Sequence, residues 1–315
     1  IVGGTLALRA AELPVPVAIG AGGALDAQTS ATNGLMGYYY SVAPASANFA
    51  TLAALEAHLA ALTPDLAAPS GLVGANFDFG LGLVFNFPAP YNSSGSRSTN
   101  FEAVWRGSLR LPVSGIWTFA VSSDDGFMLA IDGQTVLSWL APANRCAAAV
   151  RLDAGPHDIV LGYYQVTSGG GIRLEARQPG ASAYATVPNA WLTPYSSCGA
   201  PSGAGALSAA AGAALRVSQS GGIASFGGAL SGAGGALFAK TGGGALALTG
   251  ASGGFAGDAG IQGGLLALLA DGCLANGAAV RTRAGSTLAA AGAQSAGALA
   301  GDGALTLGGY VYATA

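Results

Sequence analysis

The chain has 315 residues, which is long enough for two domains that each bury a core. Charged residues make up only 9% of it, and the formal net charge of −3 excludes a broad basic surface for nucleic acid. The apolar content of 51% is mostly alanine, and no run of about 20 strongly apolar residues could form a membrane-spanning helix. With His58 and His157 as the only histidines, we expect no enzyme.

The chain begins with two short segments of different character. Residues 1–13 predict a β-strand, because Ile1, Leu6 and Leu8 stand among small residues. Residues 14–32 carry proline, glycine and polar residues without a sustained period, which predicts a linker.

Residues 33–198 hold nearly all the aromatic and charged side chains. β-rich runs at 115–121, 128–131, 158–164 and 171–176 alternate with turn residues, which is typical of an antiparallel sandwich or barrel. One amphipathic helix is predicted at 51–62, where leucines recur at three- and four-residue steps.

Residues 199–315 are rich in glycine and alanine and poor in charge. A pattern Gly-x-Leu-x-Leu recurs at 244–248, 264–268 and 303–307, with a degenerate copy at 285–288. Intervals of roughly 20 residues are typical of one coil of a β-solenoid, in which each coil covers the apolar face of the next. The alternative is a disordered Gly/Ala linker.

The central segment carries a set of motifs that occur in one known family. They are GLMGYY at 34–39, FDFG at 77–80, FEAVWRG at 101–107, PVSGIWTF at 112–119, SDDG at 123–126, LAIDG at 129–133, LDAGPH at 152–157 and Tyr163-Tyr164. On these motifs residues 33–198 resemble the PA-fourteen domain, a β-sandwich named after a fragment of the anthrax protective antigen.

A second resemblance covers residues 220–290. LFAKTGGGALALTG at 237–250 and FAGDAGIQGG at 255–264 are similar to the passenger-associated transport repeat of bacterial autotransporters. That family forms right-handed parallel β-helices on cell surfaces. The resemblances imply an all-β chain, made of a sandwich, a right-handed solenoid over 199–315 and a detached N-terminal strand.

The adjacent carboxylates Asp124 and Asp125 are the candidate metal or glycan site. In glycan-binding flocculins and related adhesins of the PA-fourteen family, the equivalent pair holds calcium through a cis peptide, and the ion orients sugar hydroxyls. Hard oxygen ligands suit calcium. Those proteins also take an asparagine ligand from a late loop, which here reads QVTSGGG at 165–171 without asparagine or carboxylate. The alternative is a structural turn in which an aspartate caps backbone amides.

Two other kinds of candidate residue stand in the sandwich. Trp139 follows the 132–133 hairpin and is the candidate sugar-stacking ring, whereas Trp105 and Trp117 lie in strand-like runs and are expected in the core. Cys146 and Cys198 fall in one predicted domain and are expected to form a disulfide, with three free buried thiols as the alternative. For Cys273, burial in the solenoid and cross-linking between chains both stay open.

The opening octapeptide IVGGTLAL is identical to residues 261–268 at six of eight positions, so it predicts a solenoid strand. Its candidate assembly residues are Ile1, Gly3, Gly4, Leu6 and Leu8. The strand needs a sheet to join: either its own solenoid, with the sandwich looped out, or the solenoid of a neighbouring copy. We favour the second arrangement, which propagates head to tail into a filament.

These observations predict an extracellular bacterial surface protein. The first hypothesis is a filament subunit that binds copies of itself and displays a lectin-like module. The second is a calcium-dependent, glycan-binding fragment of an autotransporter passenger that does not polymerise. Because the chain starts at Ile1, we expect either a removed signal peptide or an origin inside a longer product.

Overall fold

A computed structural model describes residues 1–8, 12–13, 16–27, 33–70, 87–88, 90–91, 99–167, 170–250, 254–274, 279–308 and 311–313. The chain divides into two compact units, one formed by Ile1–Ala31 with Tyr195–Ala315 and the other by Thr32–Pro194. Regular structure is almost entirely β, as the sequence predicts. Within the described ranges no helix is long and apolar enough to cross a lipid bilayer.

The strands are numbered here in chain order. They are β1 (Gly4–Leu8), β2 (Glu12–Leu13), β3 (Val17–Ile19), β4 (Gly23–Ala27), β5 (Leu35–Tyr40), β6 (Leu66–Ser70), β7 (Phe101–Leu111), β8 (Gly115–Asp124), β9 (Phe127–Ile131), β10 (Gln134–Trp139), β11 (Ala143–Leu152), β12 (Gly155–Gln165), β13 (Gly171–Arg177), β14 (Ala185–Thr186), β15 (Leu192–Gly199), β16 (Pro201–Gly203), β17 (Ala206–Ala209), β18 (Ala214–Ser218), β19 (Ile223–Phe226), β20 (Ala229–Gly232), β21 (Leu237–Thr241), β22 (Ala245–Leu248), β23 (Asp258–Ile261), β24 (Gly264–Leu268), β25 (Ala279–Thr282), β26 (Ser286–Ala290), β27 (Gln294–Ala296), β28 (Ala298–Gly301), β29 (Ala304–Leu307) and β30 (Val311–Ala313). The α-helix α1 spans Leu52–Leu59, and two 3₁₀-helices span Ser46–Phe49 and Asn189–Trp191.

The first unit is a parallel β-solenoid with three faces. Face A stacks β1, β4, β17 and β20, and single bridges at Phe255 and Leu274 continue it. Face B stacks β15, β18, β21, β23, β25 and β28, with β2 beside β15. Face C stacks β3, β16, β19, β22, β24, β26 and β29. The strands β27 and β30 form a separate parallel pair. Consecutive strands of one coil thus lie on different faces, as the predicted solenoid requires.

The predicted leucine repeats stack directly on one another along face C. Leu246 pairs with Leu266 and Leu266 with Leu288, while Leu248 pairs with Leu268. These leucines lie in the solenoid core, where every coil covers the apolar side chains of its neighbour. A disordered Gly/Ala linker is therefore the wrong interpretation of the described part of residues 199–315.

The amino-terminal strand pairs in parallel with β4 of the same chain, from Gly4 opposite Gly23 to Leu8 opposite Ala27. The amino group of Ile1 donates to the Ala18 carbonyl at 2.6 Å. Leu8 is buried in the core, whereas Leu6 is partly exposed. Docking of this strand on a neighbouring copy is thus corrected to docking in its own solenoid. The partner β4 lies only one coil further along the chain, so the loop that must close is short.

The predicted linker over 14–32 is wrong where it contains β3 and β4. Val17, Ile19, Leu25 and Ala27 alternate with exposed or half-exposed residues and are buried in the solenoid core. The glycines that suggest a linker form the corner between the two strands, where Gly20 donates to the Ile1 carbonyl at 2.9 Å. The sandwich unit is inserted in sequence between β4 and β15, which are consecutive strands of one coil.

The second unit is an antiparallel β-sandwich. One sheet has β9, β12 and β7 at its centre, with β10 beside β9 and with β5 carrying β6 beside β7. The other sheet has the order β11-β8-β13-β14. Trp105 from the first sheet and Trp117 from the second share one core, as predicted for both tryptophans. The predicted strands at 115–121, 128–131, 158–164 and 171–176 all lie within observed strands.

The helix α1 begins after Thr51, whose hydroxyl accepts a hydrogen bond from the Ala54 amide at 3.1 Å. Leu52, Leu55 and Leu59 are buried, which confirms the predicted apolar stripe. A hydrogen bond and an ion pair join the helix to β7: His58 Nε2 bonds Glu102 at 2.8 Å, and Arg106 pairs with Glu56 at 2.6 Å.

All three cysteines are free, and the predicted bridge between Cys146 and Cys198 is not formed. Cys146 lies on β11 of the sandwich and packs against the sandwich core, whereas Cys198 belongs to the solenoid core. The two thiols therefore belong to different units. Cys273 is buried in the solenoid, where its Sγ donates to the Ala270 carbonyl at 3.3 Å.

Candidate functional site at the Asp124–Asp125 turn

The two predicted aspartates connect β8 of one sheet with β9 of the other. Asp124 ends β8, Phe127 begins β9, and the peptide bond between Asp124 and Asp125 is cis. Gly126 completes the turn against the ring of Tyr164. A β-carbon at position 126 would lie 2.5 Å from Tyr164 Cε1, so the turn requires glycine there.

Hydrogen bonds fix the backbone of this turn. The Ser123 hydroxyl donates to the Asp125 carbonyl at 2.7 Å. The buried Tyr163 hydroxyl donates to the Asp124 carbonyl at 2.5 Å and contacts Oε1 of Gln165. Gln165 in turn donates through Nε2 to the Thr167 carbonyl at 2.8 Å. The end of β12 thus holds the aspartate turn in place.

The two carboxylates have different environments. Asp125 Oδ2 accepts the Val166 amide at 2.7 Å, so this side chain caps a backbone group while its second oxygen stays available. In the part of the chain that the structure describes, the Asp124 carboxylate has no hydrogen-bond or ion-pair partner. Burial, and then the negative charge of Asp125, raise the pKa of Asp124.

The negative charge also acts on the two neighbouring tyrosines. Burial raises the pKa of Tyr163 and of Tyr164, and in both cases the charge of Asp125 raises it further. The turn is therefore a half-buried centre of negative potential with no balancing cation among the described residues.

The donor set fits a hard divalent cation in part. Two adjacent carboxylates supply oxygen ligands and the charge that calcium prefers. Calcium takes about six to eight oxygens, and across the described ranges no group of three or more His, Cys, Asp or Glu side chains could complete such a shell. Backbone carbonyls, water and ligand hydroxyls would have to supply the other positions. In the late loop, residues 168 and 169 lie outside the described ranges.

Trp139 lies beside this turn and is 50% exposed. It is the last residue of β10 and pairs with Phe127, the second residue after Asp125. The following residue, Leu140, accepts a hydrogen bond on its carbonyl from the Tyr164 hydroxyl at 2.8 Å. The exposed ring and the carboxylate pair are thus anchored to the same two strands, β9 and β12.

The other predicted aromatic and histidine positions have structural contacts. Trp105 Nε1 donates to the Tyr39 hydroxyl at 3.1 Å, and Trp117 Nε1 donates to the Val113 carbonyl at 3.0 Å. His157 is buried and contacts the Asp132 carboxylate and the Asp153 carbonyl at 2.6 and 2.8 Å. This network fastens the hairpin between β9 and β10 to β12.

The support that Ser123, Tyr163 and Tyr164 give to the turn was not predicted from the sequence. The signal was present: the tyrosine pair stands directly before the late loop and Ser123 directly before the aspartates. These residues could be recognised as supports of the turn only once β12 is known to pair with β9, which places Tyr163 opposite Phe127.

A family model described as the PA14 domain matches residues 85–186, which include both aspartates and Trp139. No curated protein matches this chain. Among solved structures, a "PA14 sugar-binding domain from RTX adhesin" is 26% identical, with a TM-score of 0.40, covering 52% of this chain and 99% of that one. The Epithelial Adhesin 6 A domain from Candida glabrata, solved with Galb1-3GlcNAc, is 17% identical, with a TM-score of 0.39, covering 53% of this chain and 88% of that one.

A third similar structure belongs to an anti-sigma factor domain-containing protein. It is 22% identical, with a TM-score of 0.39 over 51% of this chain. The chain spans 47% of the length of that protein.

Proposed function

We propose that the sandwich is a calcium-dependent glycan-binding module that the solenoid displays on an extracellular bacterial surface. The proposal rests on one observation: Asp124 and Asp125, which have no cationic partner among the described residues, directly precede the strand with which the half-exposed Trp139 pairs. The match of residues 85–186 to the PA14 domain family supports it. We expect binding without catalysis, so the chain would act as an adhesin and not as an enzyme.

Each residue of the site has a distinct task in this proposal. Asp124 and the second oxygen of Asp125 would hold calcium, which would supply the positive charge that attracts sugar hydroxyl oxygens. The Val166 amide orients the Asp125 carboxylate, and the Tyr163 hydroxyl fixes the Asp124 carbonyl. Trp139 stacks against the apolar face of a sugar ring.

Calcium titration monitored by thermal unfolding and calorimetry tests the site. Calcium at a hundred times its dissociation constant should stabilise the sandwich by about 2.7 kcal/mol. Asp124→Asn combined with Asp125→Asn should abolish this effect, whereas Asp153→Asn, at an exposed aspartate on the same unit, should leave it unchanged. A glycan array with and without chelator then tests the sugar. The proposal fails if calcium leaves the unfolding temperature of the parent protein unchanged.

We propose a second function for the solenoid, as a scaffold that stacks end to end on copies of itself. The coils at both ends of the described solenoid leave core-type leucines exposed: Leu6 on β1, and Leu299, Leu305 and Leu307 on β28 and β29. Stacking of one end on the other would bury them and continue the parallel sheets into a filament. This second proposal includes the expectation, from the resemblance to the transport repeat, that the solenoid is located on a cell surface.

Negative-stain microscopy and sedimentation of the purified protein test the assembly. Fibres or concentration-dependent oligomers are expected. Leu305→Lys combined with Leu307→Lys should prevent them, because buried lysines would face the next coil. Trp139→Ala, which removes an exposed apolar side chain from the other unit, is the matched control. A parent protein that stays monomeric at all accessible concentrations would eliminate this second function.

A further inference from the structure

We propose that the outer face of the sheet β11-β8-β13-β14 binds anionic polysaccharide, at a site separate from the aspartate turn. We call this surface the arginine face. It consists of the side chains of Arg145, Arg151, Arg173, Arg177 and Tyr184 around a floor that is made of small residues except at the Arg151 end, where the exposed Ile116 lies opposite. The inference goes beyond the proposed function, since it assigns a second ligand site and requires no calcium.

Strand alternation brings the arginines to one side of the sheet. On β13, Ile172, Leu174 and Ala176 point into the sandwich core, so Arg173, Glu175 and Arg177 point outward. On β11, Cys146 and Val150 pack against the core, which leaves Arg145, Ala147, Ala149 and Arg151 on the outer face. Both strands flank β8, with Arg177 opposite Thr118 and Ala149 opposite the same threonine.

The floor between the arginines is low. Thr118 and Ala120 of β8 lie between Ala149 and Ala147 of β11 on one side and β13 on the other. Arg145 and Arg151 stand at the two ends of the alanine row, six residues or about 20 Å apart along the strand. The result is a shallow trough, walled by guanidinium groups, with the length of several sugar rings.

The charge of this face opposes the charge of the whole chain. It gathers four of the 12 basic residues of a protein whose formal net charge is −3. On β8, the outward-facing residues between Ile116 and Ser122 include no acid. Among their partners on β11 and β13, Glu175 is the one acidic residue. It forms ion pairs with Arg145 at 2.9 Å and with Arg173 at 3.7 Å. Within the described residues Arg151 and Arg177 have no carboxylate partner. The surface therefore keeps a local excess of positive charge.

The side chains are accessible and arranged to bind oxyanions. The Arg145 side chain is 46% exposed even while it bonds Glu175, and Arg151 is exposed. The guanidinium groups of Arg145 and Arg177 lie 5.2 and 5.3 Å from the ring centre of Tyr184, which holds both groups at the rim of the trough. Guanidinium groups bind carboxylate and sulfate-like oxyanions through paired hydrogen bonds.

The same features favour a polysaccharide over a nucleic acid. Single-stranded nucleic acid binds along a row of aromatic rings that stack successive bases, but the arginine face has one ring, Tyr184, already overlaid by arginines. Duplex binding requires a basic domain with many phosphate contacts. A charged sugar chain needs only spaced cations over a smooth floor, which Ala147 and Ala149 provide.

Affinity measurements with heparin, as a sulfated polysaccharide, test the proposal on the full chain in the presence of chelator. We expect binding that weakens steeply with salt, and no binding of neutral dextran. Arg151→Gln combined with Arg177→Gln should lower the heparin affinity on the order of tenfold or more, because two charge-assisted contacts are lost. Arg110→Gln combined with Arg283→Gln removes the same charge from other surfaces and should have little effect.

Three outcomes would overturn the proposal: no heparin binding by the parent protein, equal losses in the two double variants, or equal affinity for single-stranded DNA of matched charge. Thermal unfolding shows whether each variant is folded, and the retention of Arg145 and Arg173 keeps Glu175 paired. Asp124→Asn combined with Asp125→Asn should retain heparin binding. The heparin measurements therefore test the arginine face independently of the calcium site.

Discussion

At the scale of single residues, the Asp124–Asp125 turn combines two like charges that one peptide bond separates. Burial and the charge of Asp125 raise the pKa of Asp124 in the folded protein. A carboxyl whose pKa is raised by folding stabilises the fold below its unfolded pKa, and that contribution is lost as the pH rises through the folded pKa. At neutral pH without calcium, the charged pair therefore opposes folding.

Asp124→Asn should make the protein more stable than the parent at pH 7 in chelator, because the variant removes one of the two repelling charges. The difference should shrink as the pH falls through the raised pKa of Asp124, where the parent becomes protonated. Chemical denaturation at a series of pH values measures this. Saturating calcium should reverse the order, since only the parent keeps both ligands.

The matched variant Asp153→Asn should have the stability of the parent at pH 7, with and without calcium. Equal stability of Asp124→Asn and the parent at pH 7, with and without calcium, would contradict the electrostatic account of the turn. It would leave Asp124 as an ordinary surface residue.

Lys240, the single lysine of the sequence, is completely buried in the solenoid. Its Nζ donates to the carbonyls of Gly242, Gly244 and Gly263 at 2.7, 2.5 and 2.8 Å. Gly263 belongs to the next coil, so the ammonium group joins successive coils. Desolvation lowers the pKa of Lys240 to about 8.

An amine-reactive acylating reagent should therefore leave Lys240 unmodified in the native protein and modify it after unfolding. Peptide mapping by mass spectrometry measures the fraction acylated at Lys240, and the exposed α-amino group of Ile1, which donates to the Ala18 carbonyl, serves as the reactive reference. Acylation of Lys240 at the rate of Ile1 under native conditions would show that the solenoid opens freely at this corner.

At the scale of strands and turns, close backbone contact between coils depends on glycine at particular corners. Gly264 begins β24 with a φ of +62°, and a β-carbon there would lie 2.2 Å from the Gly244 carbonyl oxygen of the previous coil. Gly234 lies in a different corner where an added β-carbon would meet no atom within 4 Å. The two glycines thus separate a required contact from a tolerant position.

Gly264→Ala should lower the free energy of unfolding by more than about 1 kcal/mol, the cost of a left-handed backbone for alanine alone, with the steric clash in addition. Gly234→Ala should have an effect within about 0.5 kcal/mol. Equilibrium denaturation compares the two. Equal effects would mean that the coils are less closely stacked than the contact at Gly264 requires.

The sequence predicted the solenoid because its leucines recur at the interval that stacking imposes, and the pairing of Leu246 with Leu266 confirms this reason. It failed for β3 and β4 because each is too short to show a period, and because their partners β16 and β17 come after the inserted sandwich. The prediction of a disulfide between Cys146 and Cys198 was wrong for a related reason. Sequence order assigns Cys198 to the sandwich, although β15 has already entered the solenoid at Tyr195.

The candidate site was predictable only in part. Asp124, Asp125 and Trp139 were predicted from the motif resemblance. The arginine face also had a signal in the sequence, because Arg145 and Arg151, like Arg173 and Arg177, are an even number of residues apart and so lie on one side of a strand. That signal has meaning only when β11 and β13 are known to flank β8. Pairing of distant strands is set by tertiary packing and cannot be obtained from local periodicity.

At the scale of the whole molecule, the sandwich interrupts one coil between faces A and B. In the next coil, Ala27 aligns with Ala209 and Tyr195 with Ala214. The chain needs only residues 210–213 to pass from β17 to β18. The same short corner should be able to replace the entire insertion.

Replacing residues 28–194 with the four-residue corner sequence Ala-Ala-Gly-Ala should give a solenoid that folds without the sandwich. Circular dichroism should show β-structure, and unfolding should be cooperative, because β2, β3 and β4 keep their partners β15, β16 and β17. A control variant that also lacks residues 1–27 should be less stable, since it loses the first coil. An unfolded product from the first variant would mean that the solenoid depends on the inserted unit.

The insertion has a mechanical consequence. A pulling force applied along the stack of coils would pass through the inter-strand hydrogen bonds of β1, β4, β17 and their neighbours, and these would be loaded together. The chain leaves the solenoid after β4 and re-enters it at Tyr195 in β15, so the hydrogen bonds that join one coil to the next are formed by solenoid strands alone. Stretching the coils would therefore load backbone ladders to which the inserted residues 32–194 contribute nothing.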